Sequence, residues 1–306
     1  MGKRRPGAFP QRFRHLLEYW LLLSIGSILR LLPYSFNLRI ADFLGDITFG
    51  LLRIRREVTL KNLEMAFGNQ KSKNELKKIA QESYRKQARS FISHILFPAL
   101  SKENILSQLE FENLHYFDEI LKHGKGGILV SSHFGNWQIG GVSCKLVGYP
   151  VNFLVQRQSN PLVENLVYKY IEDKGVKVLY KGVSAGDVIE VLNANQIVGM
   201  LPDQDAGKNG VIVNFMGKPA STHKGPAFFS LKTGAPIVVA LIFQNRNGKQ
   251  KLVLEKPIYP QNTGDTEEDI KNLTQAFTST LEKYVKKYPD HWFWQHRRWK
   301  STLNLY

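Results

Sequence analysis

From Gly126 onward the chain alternates short apolar runs with stretches of helical periodicity, and this alternation restricts the fold more than any other feature. The runs are Gly127–Ser131, Val151–Val155, Val176–Leu179, Ile197–Leu201, Ile237–Phe243 and Lys251–Leu254. Helical stretches fall at Ile139–Val147, Pro161–Lys174, Ala185–Asn193, Lys224–Lys232 and Glu267–Lys287. Short, β-rich runs of this kind read as strands. Their alternation with helices predicts an α/β fold with a mostly parallel central sheet flanked by helices. No repeat, low-complexity tract or linker divides the chain.

Upstream the pattern is helical. Leu38, Ala41, Phe43, Leu44, Ile47, Leu51 and Leu52 recur at three-to-four spacing, and Ser72 to Leu100 reads as an amphipathic helix opened by a capping box, Ser72-Lys73-Asn74-Glu75. The stretch from Leu16 to Leu32 is mostly apolar, preceded by Lys3, Arg4, Arg5, Arg12 and Arg14 and interrupted by Glu18 and Arg30. Its uncharged centre is too short to cross roughly 30 Å of hydrocarbon. Either the two charges snorkel and the segment spans, or it lies in the membrane interface; a buried core helix is the third reading. Tyr19, Trp20, Tyr34 and Phe36 at its flanks favour membrane contact, and the preceding basic residues put the N-terminus in the cytoplasm. No removable signal peptide is evident. The expected division is a membrane anchor or interfacial helix over 1–36 and one domain over 37–306, mainly helical over 37–122 and α/β over 123–306.

The formal net charge of +16 over 306 residues calls for an anionic partner: nucleic acid, anionic headgroups or an acidic carrier protein. The basic run Arg53, Arg55, Arg56 and Lys61 is either a solvated helix face or a headgroup contact beside the apolar N-terminus. The one cysteine, Cys144, excludes an internal disulfide and a cysteine-based metal site.

Polar clusters follow several of the apolar runs, where an α/β sheet gathers ligands. His133-Phe134-Gly135-Asn136-Trp137-Gln138 follows the first. A histidine there, with a carboxylate five residues on, would make a base and its orienting partner. The fifth position is Gln138, which orients a ring without carrying charge. Leu201-Pro202-Asp203-Gln204-Asp205 offers two carboxylates that suit either a cation or a helix-capping turn. Phe215 to Pro226, with Lys218, Ser221 and Thr222, reads as a backbone-amide anion or oxyanion site before a helix. Arg157 is placed to grip a phosphate or carboxylate. Trp292 to Lys300 is dense in aromatic and cationic groups, suited to Arg–Trp stacking; a nucleic-acid patch is the other reading, and charge alone supports it.

In this order, the segments resemble the bacterial lipid A late acyltransferases, the lauroyl and myristoyl transferases of lipopolysaccharide assembly. The pieces that carry the resemblance are His133 to Trp137, Arg157 with Asn160-Pro161, Leu201 to Asp205, Phe215 to Thr222 with Gly225-Pro226-Ala227, and Trp292 to Trp299. The resemblance implies a glycerolipid-acyltransferase-like enzyme at the cytoplasmic face of the inner membrane, anchored by its N-terminal helix. It would move a fatty acyl chain from acyl carrier protein, or acyl-coenzyme A, to a hydroxyl of a lipid A-like or other glycolipid acceptor. No cofactor, metal or nucleic acid is implied.

By the same resemblance His133 is the general base and Arg157 holds an acceptor phosphate. Asp203, Gln204 and Asp205 shape the site or position the acceptor, and Lys218, Ser221 and Thr222 line the cleft. The family pattern puts Asp or Glu where this chain has Gln138. Three readings stand: Gln138 orients His133, Asp203 or Asp205 reaches His133 instead, or the chain is a catalytically impaired lipid-binding or scaffolding protein on the same fold.

Overall fold

Ile128 and Val130 face one hydrophobic core and Leu129 between them faces another, so the strand they form is buried on both sides. The computed structural model describes residues 11–180, 185–244 and 249–306; Lys3, Arg4 and Arg5 lie outside the described residues. The strands in chain order are β1 (Leu109–Glu112), β2 (Gly127–Val130), β3 (Val151–Val155), β4 (Lys177–Tyr180), β5 (Ile197–Met200), β6 (Val211–Phe215), β7 (Lys218–Thr222), β8 (Ile237–Gln244) and β9 (Gln250–Leu254). Seven of them form one sheet in the order β1-β9-β8-β2-β5-β3-β4, parallel at every pairing except β8 with β9. The expected mostly parallel α/β architecture is therefore present. β6 and β7 form a separate antiparallel hairpin where the sequence suggested an anion-binding loop.

The helices are α1 (Gln11–Arg30), α2 (Tyr34–Gly50), α3 (Arg56–Phe67), α4 (Lys73–Leu96), α5 (Lys102–Leu106), α6 (His115–Lys122), α7 (Trp137–Leu146), α8 (Pro161–Glu172), α9 (Ala185–Asn193), α10 (Gly225–Thr233) and α11 (Thr266–Lys287). The periodic stretches thus fold as helices, with ends shifted by a few residues. The capping box forms as its residue types require: Ser72 Oγ accepts from the Glu75 amide, and the Glu75 carboxylate accepts from Ser72 N.

Helix α2 lies against α4 so closely that a Cβ on Gly45 would meet the Arg85 backbone at 2.7 Å. Arg85 Nε and Nη2 both bond Asp46 at 2.8 Å, and Arg89 pairs with Asp42 in the same two-pronged way. The fork of a guanidinium fits a carboxylate in this geometry, so the two pairs set the helix register.

Helix α1 docks through Gly26 and Leu29 onto Ile92, Ile95 and Leu96 of α4, and Asn160 at the head of α8 bonds both Glu18 and the His15 carbonyl. Of the described residues, no helix is long and apolar enough to cross a membrane. Arg12, Arg14, Glu18 and Arg30 fall inside α1 and leave too short an uncharged centre. The spanning form of the expected anchor is thus not met. What α1 does have is a row of exposed apolar side chains, including Leu17, Trp20, Leu21 and Ile28.

Candidate active site

Parallel pairing brings the site together. Val130 of β2 stands opposite Met200 of β5, and Ser131 N donates to the Met200 carbonyl at 3.0 Å. His133 and Asp203 are each the third residue beyond that pair, so the register sets them face to face at the carboxyl ends of adjacent strands. Nδ1 of His133 lies 2.8 Å from Oδ1 of Asp203, and the His133 amide donates to Oδ2 at 2.9 Å. Trp292 Nε1 donates to the same Oδ2 at 3.0 Å.

The carboxylate is nearly sealed, at 5% side-chain exposure against 26% for His133. Burial works to raise the Asp203 pKa, but the His133 ring and amide and the Trp292 indole overcome it and hold the carboxyl below its usual range. For His133 burial works downward, and the Asp203 charge and hydrogen bond outweigh it, raising the imidazole above its ordinary value. With Nδ1–H directed at Asp203, Nε2 carries the lone pair that can receive a proton. The Gln204 amide nitrogen lies 3.5 Å from that Nε2.

The loop that carries the histidine is clamped by the C-terminal segment. Phe293 N donates to the His133 carbonyl at 3.0 Å, and Gly135 N donates to the His291 carbonyl at 2.9 Å. The Trp137 ring meets the His133 ring edge-on at 5.4 Å. Gly135 has φ of 57°, and a Cβ there would run into the Ile242 carbonyl oxygen of β8. Only glycine lets the loop lie this flat on the sheet.

Gln138 is not among the hydrogen-bond partners of His133, which are Asp203 and Gln204. It lies near His94 of α4, a ring whose pKa burial pushes down to about 4. Of the three arrangements open in the sequence, the geometry is that of a carboxylate arriving from another strand, Asp203. Asp205 turns elsewhere: its carboxylate accepts from Ser301 Oγ at 2.6 Å, and its amide donates to His296 Nε2 at 2.9 Å.

Lys218, Ser221 and Thr222 belong to the hairpin. Lys218 is exposed at the turn end of β7 and pairs with Phe215. Ser221 is fully buried with its Oγ donating to the Gly207 carbonyl at 2.7 Å, and Thr222 Oγ1 accepts from Arg298 Nη2. These hydroxyls have backbone or arginine partners instead of facing a cleft beside His133. Arg157 is 63% exposed, 3.2 Å from the buried Glu164 carboxylate, with its guanidinium over the Tyr180 ring at 4.2 Å.

Three side chains matter more than the sequence suggested. Trp292 was visible as part of an aromatic cluster, but its partner, Asp203, is distant along the chain. Arg298 is buried, its pKa pulled down by burial to about 10 despite Asp203 and Asp205 nearby, and it lies over Phe215, 5.3 Å from the ring centre, instead of a tryptophan. His94 sits mid-helix with no motif around it. It lines a cavity of about 340 Å³ between α1, α4 and α8, whose walls include Leu22, Leu23, Phe91, Ile95, Val163 and Leu166.

A histidine–aspartate pair at the carboxyl ends of adjacent parallel strands suits an enzyme that draws a proton from a hydroxyl. The class is acyltransferase. The family model for the bacterial lipid A biosynthesis acyltransferases matches residues 7–301, and the chain belongs to that family. It is 22% identical to the lipid A biosynthesis palmitoleoyltransferase of Escherichia coli over 96% of this chain and 95% of the relative. It is 21% identical to the lauroyltransferase of the same organism over 93% and 92% of the two chains. With the phosphatidylinositol mannoside acyltransferase of Mycolicibacterium smegmatis it shares 23% identity over 74% of each.

Proposed function

We propose that this acyltransferase moves a fatty acyl chain from an acidic acyl carrier protein, or from acyl-coenzyme A, to a hydroxyl of a glycolipid acceptor, with His133 as general base. The observation that carries the reading is the His133–Asp203 contact, which engages Nδ1 and leaves Nε2 to the substrate.

In this mechanism Nε2 of His133 takes the proton of the acceptor hydroxyl as its oxygen attacks the thioester carbonyl. The carbonyl π electrons move onto oxygen, and the Gln204 amide beside Nε2 is placed to donate to that oxyanion. Collapse re-forms the carbonyl and breaks the carbon–sulfur bond. The imidazolium returns its proton to the departing thiolate, so the base is regenerated. Asp203 steadies the imidazolium throughout and holds the ring in the productive tautomer. The acyl chain lies in the cavity between α1, α4 and α8, whose volume falls in the range of small-molecule sites. Arg157, with its guanidinium exposed above Tyr180, meets a phosphate of the acceptor or carrier.

The enzyme works at an anionic membrane surface of the bacterial inner membrane, on its cytoplasmic face. Support comes from the exposed apolar side chains of α1 and α2 (Trp20, Leu21, Ile28, Phe43, Leu44) and from Leu51, Leu52 and Ile54 interleaved with Arg53, Arg55 and Arg56. This pattern suits a helix pair lying in the interface, with cations at the headgroups.

Mass spectrometry of membrane lipids from cells with the gene, without it, and with His133→Ala tests the reading. An acylated lipid that requires the wild-type gene and disappears in His133→Ala is expected. Undiminished product in His133→Ala would refute the assignment of the base.

A further inference from the structure

Arg298 is a charge that the acyl-transfer step leaves unused, and it lies beneath the catalytic pair. At 1% exposure it cannot meet a substrate. Its Nη1 donates to the Ser221 carbonyl and its Nη2 to Thr222 Oγ1, which fixes the guanidinium against β7. Both acceptors are neutral oxygens. Nε is buried and, among the described residues, has no hydrogen-bond partner. A cation in the interior is expensive to desolvate unless an opposite charge and hydrogen bonds offset the cost.

The opposite charge lies across a small cavity. Arg298, Asp203, Trp292 and Thr278 all line it, and its volume is about 10 Å³. That is close to the least space that holds one water, and a water is held where several polar groups converge. Three converge here. Thr278 of α11 is 2% exposed and, among the described residues, its Oγ1 is also without a partner. Asp203 has one acceptor position left: Oδ1 meets the His133 ring, and Oδ2 accepts from the His133 amide and the Trp292 indole.

The charges agree with this arrangement. Burial pulls the Arg298 pKa down to about 10, and the Asp203 charge is foremost among the influences opposing it. The other titratable groups near Asp203 are His133 from the loop after β2, His296 from the C-terminal segment, and Asp205 on its own loop. At the cavity α11 contributes the uncharged Thr278, Leu281 and Val285.

We propose that Arg298 is a positioning residue for the base, joined to Asp203 by one water in this cavity. The water accepts from Arg298 Nε, bonds Thr278 Oγ1 and donates to the Asp203 carboxylate. The cation keeps Asp203 ionised and opposes positive charge on His133. The imidazole therefore stays neutral, and able to take a proton, at lower pH than Asp203 alone would allow. The inference rests on the reading of His133 as the base.

The experiment compares wild type, Arg298→Met, Arg298→Lys, Thr278→Val and Thr274→Val by pH-dependent acyl transfer and thermal melting, and solves the wild-type crystal structure at high resolution. Thr274, one turn earlier in α11, is a control, because its hydroxyl is buried without a partner among the described residues but does not line the cavity. Arg298→Met should move the acid limb of kcat upward by roughly one unit, the lower end of what a nearby charge does, with KM unchanged. Arg298→Lys should reverse most of that shift, although it loses the fork to Ser221 and Thr222. An arginine with a structural role alone would lower the melting temperature in both variants and leave the limb in place. Thr278→Val takes a partner from the water and should melt below Thr274→Val, since removing a hydroxyl that bonds nothing is close to neutral or stabilising. The crystal structure should show one ordered water within hydrogen-bond reach of Arg298 Nε and Thr278 Oγ1. An acid limb unmoved or lowered in Arg298→Met, a Thr278→Val that melts no lower than Thr274→Val, or a cavity without water density would each overturn the proposal. If Arg298→Met fails to accumulate, Thr278→Val and the density decide. Absence of acyl transfer from wild type would instead refute the acyl-transfer reading, and the melting and crystallographic results would still decide on the water.

Discussion

Trp292 holds Asp203 by an indole hydrogen bond of 3.0 Å, and so the C-terminal segment helps to build the His133–Asp203 pair proposed as the catalytic centre. Its neighbours Phe293 and His291 bond the backbone of the histidine loop. The aromatic cluster that reads in the sequence as a stacking or nucleic-acid surface is largely interior: Trp292, Trp294 and Trp299 are fully buried.

Trp292→Phe removes that donor and keeps most of the ring. A buried carboxylate losing one of its hydrogen bonds costs about 1–3 kcal/mol. The melting temperature is expected to fall accordingly and turnover to drop, with the protein still folded by circular dichroism. Unchanged stability and turnover would mean that the indole does not hold the carboxylate.

The pH profile of wild-type transfer follows from the direction of the His133 shift. The base must be neutral to accept a proton, and pairing with Asp203 raises its pKa despite burial. Activity should therefore fall as pH drops through a value above that of a free imidazole. In Asp203→Asn the raising charge is gone while burial remains, so whatever activity survives should have its acid limb moved to lower pH. A limb moved upward, or not moved, would contradict the pairing.

Gly135→Ala should be among the most damaging single-methyl changes in the chain. It asks for φ of 57° from an alanine and drives its Cβ into the Ile242 carbonyl. Strain of about 1–3 kcal/mol at such a position displaces the loop even where the protein folds. Turnover lost by far more than stability, read by assay and thermal melt together, is the expected result.

Gly45→Ala tests the helical layer independently of chemistry. A methyl there meets the Arg85 backbone, and overpacking of this kind costs typically about 1–3 kcal/mol. A fall in melting temperature with kcat preserved in the surviving enzyme is expected; unchanged stability would mean α2 and α4 separate more easily than their paired arginines suggest.

The sheet and most helices were legible because their signals are local: apolar runs for β2, β3, β5 and β8, and periodicity with a capping box for α4. The hairpin β6–β7 was hidden because its residues, Gly217, Pro219 and Ser221 among them, have the composition of a loop and gain strand geometry from pairing and from packing on α11. In the site, His133 and the Asp203 loop were both visible, but their pairing was not. It depends on β5 lying next to β2, a fact of strand order that spacing along the chain does not encode. Gln138 stands five residues after His133, where the family motif has an acid, so along the sequence it is the nearest candidate partner. The helical turn of α7 sends it toward His94 instead.

The measurement that bears most directly on the central claim is the turnover of Asp203→Asn beside that of Gln138→Glu, with saturating donor at neutral pH. If Asp203 is the partner of the base, Asp203→Asn loses several orders of magnitude in kcat, as happens when such a carboxylate is neutralised, and Gln138→Glu gains nothing over wild type. Turnover near wild type in Asp203→Asn, or a clear gain in Gln138→Glu, would contradict the pairing of His133 with Asp203 and return the role of partner to position 138.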